Sequence, residues 1–306
     1  MPYYLREFIG LNLRVERQVW KIDEEAAFVI GMPNPLNGIG TYFCAQPGEA
    51  IWDAIKRQTS WFEPSGNNPF QRIALGPGEF YPRMARPIAL QSSELTTFSP
   101  GADADVNSIA ISRGQLTTLI RQLDDICRTI HPASETLSTF GHEIRNLIIL
   151  ACTEVESHWR GILHANGVHK KNYNTNDYIK LKHAMKLDEY SITFSGYPWL
   201  EFFRPFANWN ADGPTASLGW YDAYNAIKHN RETQFSRSTL RSAFEAVSAC
   251  YIMMVAQFDR SHALAYTSEL QYFLNISEWP IWDVFDYYIG PDGTISNNWT
   301  ETPFPF

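Results

Sequence analysis

Trp220-Tyr-Asp-Ala-Tyr-Asn-Ala-Ile-Lys-His-Asn-Arg231 reads as one amphipathic helix. Trp220, Tyr224 and Ile227 stand at i, i+4 and i+7, an apolar stripe suited to packing on a neighbouring helix. Asp222, Asn225 and His229 follow a second stripe at i, i+3 and i+7, so an acid, an amide and an imidazole share one face. Lys228 and Arg231 sit beside it. Helix packing alone needs none of these groups, and polar clusters of this kind are enriched at functional sites. A solvated face carrying a histidine has the same pattern, so the stripe has two readings.

The sequence upstream and downstream continues the helical period. Ser112 and Gln115 have capping-box spacing, and Leu116, Leu119, Ile120, Leu123, Ile126, Cys127 and Ile130 then run helically to Pro132. A second helix is expected over 138–165, with Phe140, Ile144, Leu147, Ala151, Val155, Trp159 and Ile162 on its buried face. The motif helix is expected over 216–233. A fourth, over 237–259, is apolar on nearly all sides from Ala246 to Ala256, which puts it at the centre. These helices predict an antiparallel bundle over 106–265.

Residues 1–105 read as mixed and strand-rich. Ile9, Leu11, Leu13 and Val15 alternate with polar neighbours, the period of a half-buried strand. Further strands are expected at 26–30, at 73–75 and from Pro87. Pro47 and Glu49 can open a short helix through Ile51, Trp52 and Ile55, and loops such as Glu63-Pro-Ser-Gly-Asn-Asn-Pro69 separate these pieces. Residues 266–306 form an aromatic tail with Tyr272, Phe273, Trp279, Trp282, Phe285, Tyr287 and Tyr288, and Pro291-Asp-Gly293 reads as a hairpin turn. So many exposed rings would aggregate, so the tail is expected to dock back on the protein. A partner-binding arm is the other use of such a tail. The fold class is α+β: a strand-containing N-terminal portion, then a predominantly helical bundle.

A composition of 44% hydrophobic and 19% charged residues is that of a globular chain rather than a disordered one. The net charge of −8 excludes a binder that presents basic charge over its whole surface. Charge is uneven, however. From His164 to Lys186 there are five Lys and three His against one Asp, on an excursion of about 165–215 that is long for a bundle connection. Lys170, Lys171 and Tyr173 within it suit a nucleic-acid strand, although a charge run is usually a solvated surface. Cys44, Cys127, Cys152 and Cys250 lack C-x-x-C spacing and read as buried thiols of a reducing compartment. MPYYLREFIG has no basic-then-apolar leader pattern, so a cytoplasmic protein with no membrane partner is expected.

Glu154-Val-Glu-Ser-His158 is the second polar group. Glu156 and Arg160 read as an ordinary surface pair. Glu154 lies on the edge of a buried stripe and needs a partner, expected from Asn225, Lys228 or His229. Glu154, His158, Asn225 and His229 would then share one cleft. Glu154-x-x-x-His158 has the spacing of two metal ligands and His229 could add a third, but this pairing occurs often by chance, and His142-Glu143-Ile-Arg-Asn146 lacks a second histidine. No G-x-S-x-G elbow, P-loop or dinucleotide fingerprint occurs. Neither metal nor cofactor is expected.

With these polar residues on an early long helix and Trp-x-x-x-Tyr-Asn-x-x-Lys-His-x-Arg on a late one, residues 112–262 resemble the HEPN superfamily. Asn225-Ala-Ile-Lys-His229 matches the asparagine, spacing and histidine of that family's Arg-Asn-x-x-x-His motif. The resemblance implies a metal-independent endoribonuclease, or an RNA-binding relative, of a prokaryotic defence or toxin system. It also implies a homodimer that assembles one site from two motif helices, in some settings with a cognate regulatory protein. His229 would be the general acid and base, with Asn225, Glu154, Lys228 and Arg231 around it. Lys170, Lys171 and Tyr173 would hold RNA, and Asp222, Tyr224 and His158 would support the site. One departure matters: the family's arginine position is Tyr224 here. The alternative is therefore a non-enzymatic interaction or scaffold module whose Asp222, Asn225 and His229 form a structural network.

Overall fold

The computed structural model describes residues 2–11, 13–32, 40–59, 62, 68–89, 96–265, 273–293 and 298–306, with only the backbone of Arg231. Strands fill the N-terminal portion and helices dominate the remainder of the chain, an α+β fold. Two compact units interleave in sequence: 1–81, 86–98 and 282–302 make the first, and 82–85, 99–281 and 303–306 the second.

In the first unit, β1 (Tyr3–Ile9), β2 (Val15–Ile22), β3 (Ala26–Val29), β4 (Tyr42–Cys44) and β5 (Phe70–Ile73) form an antiparallel sheet in the order β4-β3-β2-β1-β5. Helix α1 (Ile51–Gln58) buries Ile51, Ala54 and Ile55 in the same cluster as Trp20, Phe43 and Phe70. Trp20 stacks on Phe43 at 5.7 Å and meets Phe70 edge-on at 5.2 Å, the offset geometries aromatic quadrupoles favour. Strands β6 (Glu79–Phe80), β7 (Arg86–Ala89) and β8 (Thr96–Phe98) follow. The C-terminal segment returns to this unit, with Tyr288–Ile289 parallel to β7 and Thr300–Glu301 parallel to β6.

Ile9, Leu11, Leu13 and Val15 do not form one strand. Ile9 ends β1 and Val15, its register partner, begins β2. Gly10 closes the turn with an N–H bond to the Arg14 carbonyl at 2.9 Å, and Leu13 adopts φ 60. All four side chains are exposed. Alternation over so few residues reports spacing and cannot report that the chain reverses. The hairpin expected at Pro291–Gly293 has its second arm outside the described residues, as do Tyr272 and 63–67.

The second unit holds α2 (Val106–Thr129), α3 (His142–Ala165), α4 (Thr175–Tyr178), α5 (Lys180–Ala184), β9 (Ser191–Phe194), α6 (Gly219–His229), α7 (Arg231–Gln234), α8 (Leu240–Ala263) and β10 (Leu274–Glu278). Helix α2 starts six residues before Ser112, so the expected capping box lies inside the helix. Helix α3 starts at His142, which leaves Phe140 outside it and half exposed. Helix α8 is buried almost throughout and packs on α3, α2 and α6. The Cys250 thiol donates to the Ala151 carbonyl at 3.1 Å, and Gln257 meets His158 at 3.1 Å, both across the same 99-residue offset. That constant offset means α3 and α8 run parallel. Antiparallel packing therefore describes successive helices such as α2 and α3 but not this central pair.

The long excursion folds back onto α3. Phe206 and Trp209 are fully buried, and Trp209 stacks on Trp159 at 5.1 Å. Tyr178 and Tyr221 close on Trp159 at 5.0 and 5.3 Å. Among the described residues no helix is long and apolar enough to cross a membrane.

Partly buried Glu245 on α8 makes the bundle's stability depend on pH. Burial pushes its carboxyl up to about 7, Arg241 opposing and Glu201 adding to the rise. Because the folded value is raised, the stability is present below the ordinary carboxylate range and lost as pH rises through about 7. Glu245→Gln should flatten this loss in urea melts and add on the order of 2 kcal/mol at about pH 8. Parallel pH profiles for variant and wild type would contradict it.

Candidate functional site on the motif helix

Helix α6 buries Trp220, Tyr224 and Ile227 as its spacing predicts, together with Tyr221 and Ala223. Most of its polar atoms are committed. The Trp220 indole donates to the Pro205 carbonyl at 2.8 Å, and the Tyr221 hydroxyl to a Glu156 carboxylate oxygen at 2.7 Å. Lys228 donates to the Tyr224 hydroxyl at 3.0 Å and lies 5.0 Å from the centre of that ring. Asp222 is ion-paired with Arg237. Asn225, half buried, and His229, exposed at the last helical residue, remain. Neither side chain is hydrogen-bonded among the described residues. The side chain of Arg231 is not among the described ones.

The expected cleft uniting Glu154 and His158 with Asn225 and His229 is not formed. Glu154 bonds to Ser112 of α2, and its Oε1 lies 3.4 Å from Nε2 of His158 on its own helix. Burial raises its carboxyl, with the Ser112 bond and Arg83 opposing. His158 is buried, and desolvation, helped by Arg83, holds its imidazole down to about 3. Two positions along a helix are about 200° apart, so Glu154 looks toward α2 while Glu156 looks toward α6. Glu156 thus replaces Glu154 as the carboxylate that reaches the motif helix. Its signal was in the sequence: it lies between Cys152 and Trp159, at i−4 and i+3, and both are fully buried.

The basic island is largely neutralised. Lys170 is paired with Asp177, and Lys182 with Asp188 at 3.2 Å, while Lys186 lies 4.0 Å from Glu189. Two of these acids lie just past the basic stretch, which is why its composition overstated its charge. Tyr173 gives its hydroxyl to the Val168 carbonyl at 2.7 Å and stacks on Tyr178, which is buried. Lys171 is exposed. The structural network expected among Asp222, Asn225 and His229 is likewise absent, since Asp222 pairs with Arg237 instead.

Among the described residues no group of three or more His, Cys, Asp or Glu side chains is placed to hold a metal ion. A groove of about 750 Å³ between α2 and α3 is lined by residues that include Ile126, Ile130, Ile149 and Leu150 together with His142 and Glu143. No α6 residue lines it. No family model matches the chain, and neither the curated proteins nor the solved structures provide a match.

Proposed function

We propose that the helical unit is a HEPN-like RNA-binding module that contacts RNA through the Asn225–His229 face of α6. One observation carries the reading: this amide and imidazole are left without internal hydrogen bonds on a helix whose other polar groups are largely committed. An imidazole and an amide one turn apart suit phosphate and base edges. Cleavage through the 2′-hydroxyl needs both a proton acceptor and a donor. A single His229 meets that need when two copies bring two imidazoles into one groove, the homodimer that the resemblance implies. A defence or toxin setting with a cognate regulatory protein belongs to the same reading. A cytoplasmic location fits four cysteines that are all free thiols.

The non-enzymatic reading has its own support. Tyr224, at the family's arginine position, is buried beneath Lys228, and Lys170 and Lys182 of the excursion are paired with acids. RNA binding by wild type against an Asn225→Ala/His229→Ala double variant separates the two. Loss of binding in the variant supports the RNA face, and equal binding removes it.

A further inference from the structure

We propose that His164 and His169 form a two-imidazole site for a divalent transition ion (copper, nickel or zinc) at the C-terminal end of α3. Their ring centres lie 4.4 Å apart, with the planes at 79°. Metal–nitrogen bonds of about 2.0 Å at a right angle put two imidazole centres roughly 4.5 Å apart. The observed separation matches that of two cis ligands. Both side chains are exposed, and neither is hydrogen-bonded among the described residues. Each ring can turn about its broad second torsion to aim a nitrogen at a shared ion, and breaks no bond in doing so.

A helix does not bring side chains five positions apart together; the way α3 ends does. Gly167 adopts φ 79, and its N–H bonds to the His164 carbonyl at 3.0 Å. The Val168 N–H bonds to the Leu163 carbonyl at 2.9 Å. These are the two bonds of a glycine-capped helix end, where the chain reverses at a residue with no Cβ. His169 is then held on both sides. The Tyr173 hydroxyl donates to the Val168 carbonyl at 2.7 Å and accepts from the Lys170 N–H at 3.3 Å. The backbone sets the pair in advance, so an ion need not order it on binding.

The surroundings admit a cation. A helix C-terminus carries partial negative charge, and Lys170, next to His169 in sequence, is ion-paired with Asp177. Two imidazoles suit ions that favour nitrogen, with copper above nickel and zinc in affinity. Water completes the coordination, since no group of three His, Cys, Asp or Glu ligands occurs among the described residues. Magnesium prefers oxygen ligands and keeps its water, so the pair selects against it.

This site is independent of the α6 face and of the RNA reading. The test is calorimetric titration of the metal-free full chain with Ni²⁺, which leaves the exposed thiol of Cys44 unoxidised. Wild type should bind one equivalent, and Mg²⁺ should give no binding heat. Binding should weaken as pH falls, because protons compete for both nitrogens. His164→Gln and His169→Gln should each lose at least tenfold in affinity. The double variant should lose little more than either, because removing one arm already breaks a chelate. All three should keep the metal-free unfolding temperature, since both side chains are exposed. Ni²⁺ should raise that temperature in wild type and not in the double variant, and Asn225→Ala/His229→Ala should bind as wild type does. The proposal is overturned if wild type binds Ni²⁺ no more tightly than the double variant, which would leave scattered surface groups as the ligands. Loss of affinity in only one of the two single variants would overturn it as well.

Discussion

Trp159→Ala should lower the stability of the helical unit by about 3–5 kcal/mol, the range for truncating a buried large aromatic. Trp159 is fully buried on α3 and touches Trp209, Tyr178, Trp220 and Tyr221 within 6.3 Å. These rings come from the excursion and from α6, so a cavity here loosens both attachments at once. Urea unfolding followed by circular dichroism reads the loss. A cost below about 1 kcal/mol would mean that the excursion is held elsewhere, since deleting so large a packed ring cannot be that cheap.

If the proposed site cleaves RNA through the 2′-hydroxyl, His229→Ala should lower the rate by roughly 10²–10⁴-fold, the usual contribution of a positioned acid–base group. His229 is exposed and unbonded, so the variant should keep the wild-type unfolding midpoint, and loss of activity cannot be blamed on misfolding. Wild-type cleavage should persist in excess chelator and leave a cyclic phosphate end. Full activity in the folded variant would assign the proton transfer to another group.

Much of the helical unit was legible because its helices are long and their apolar period is regular. Trp220, Tyr224 and Ile227 lie buried on α6 as their spacing demanded, and the nearly all-apolar run of α8 is buried almost throughout. The site was less legible. Glu154 and Glu156 differ by two positions, and which neighbour each faces depends on helix rotation, which spacing alone does not set. Glu154 turned to Ser112, and Glu156 took Tyr221. Ionic partners were missed for a related reason: Arg237 and Asp188 lie outside the stretches they neutralise. The contact between His164 and His169 had no signal in spacing, because the two rings meet only through the reversal at Gly167.

The most direct test of the RNA reading is fluorescence anisotropy of a labelled single-stranded RNA titrated with folded wild-type protein at low salt, in chelator. Binding should weaken as salt rises, as counterion release requires, and should fall at least tenfold in Asn225→Ala/His229→Ala. Folded wild type that leaves the anisotropy of the RNA unchanged at low salt would contradict the account.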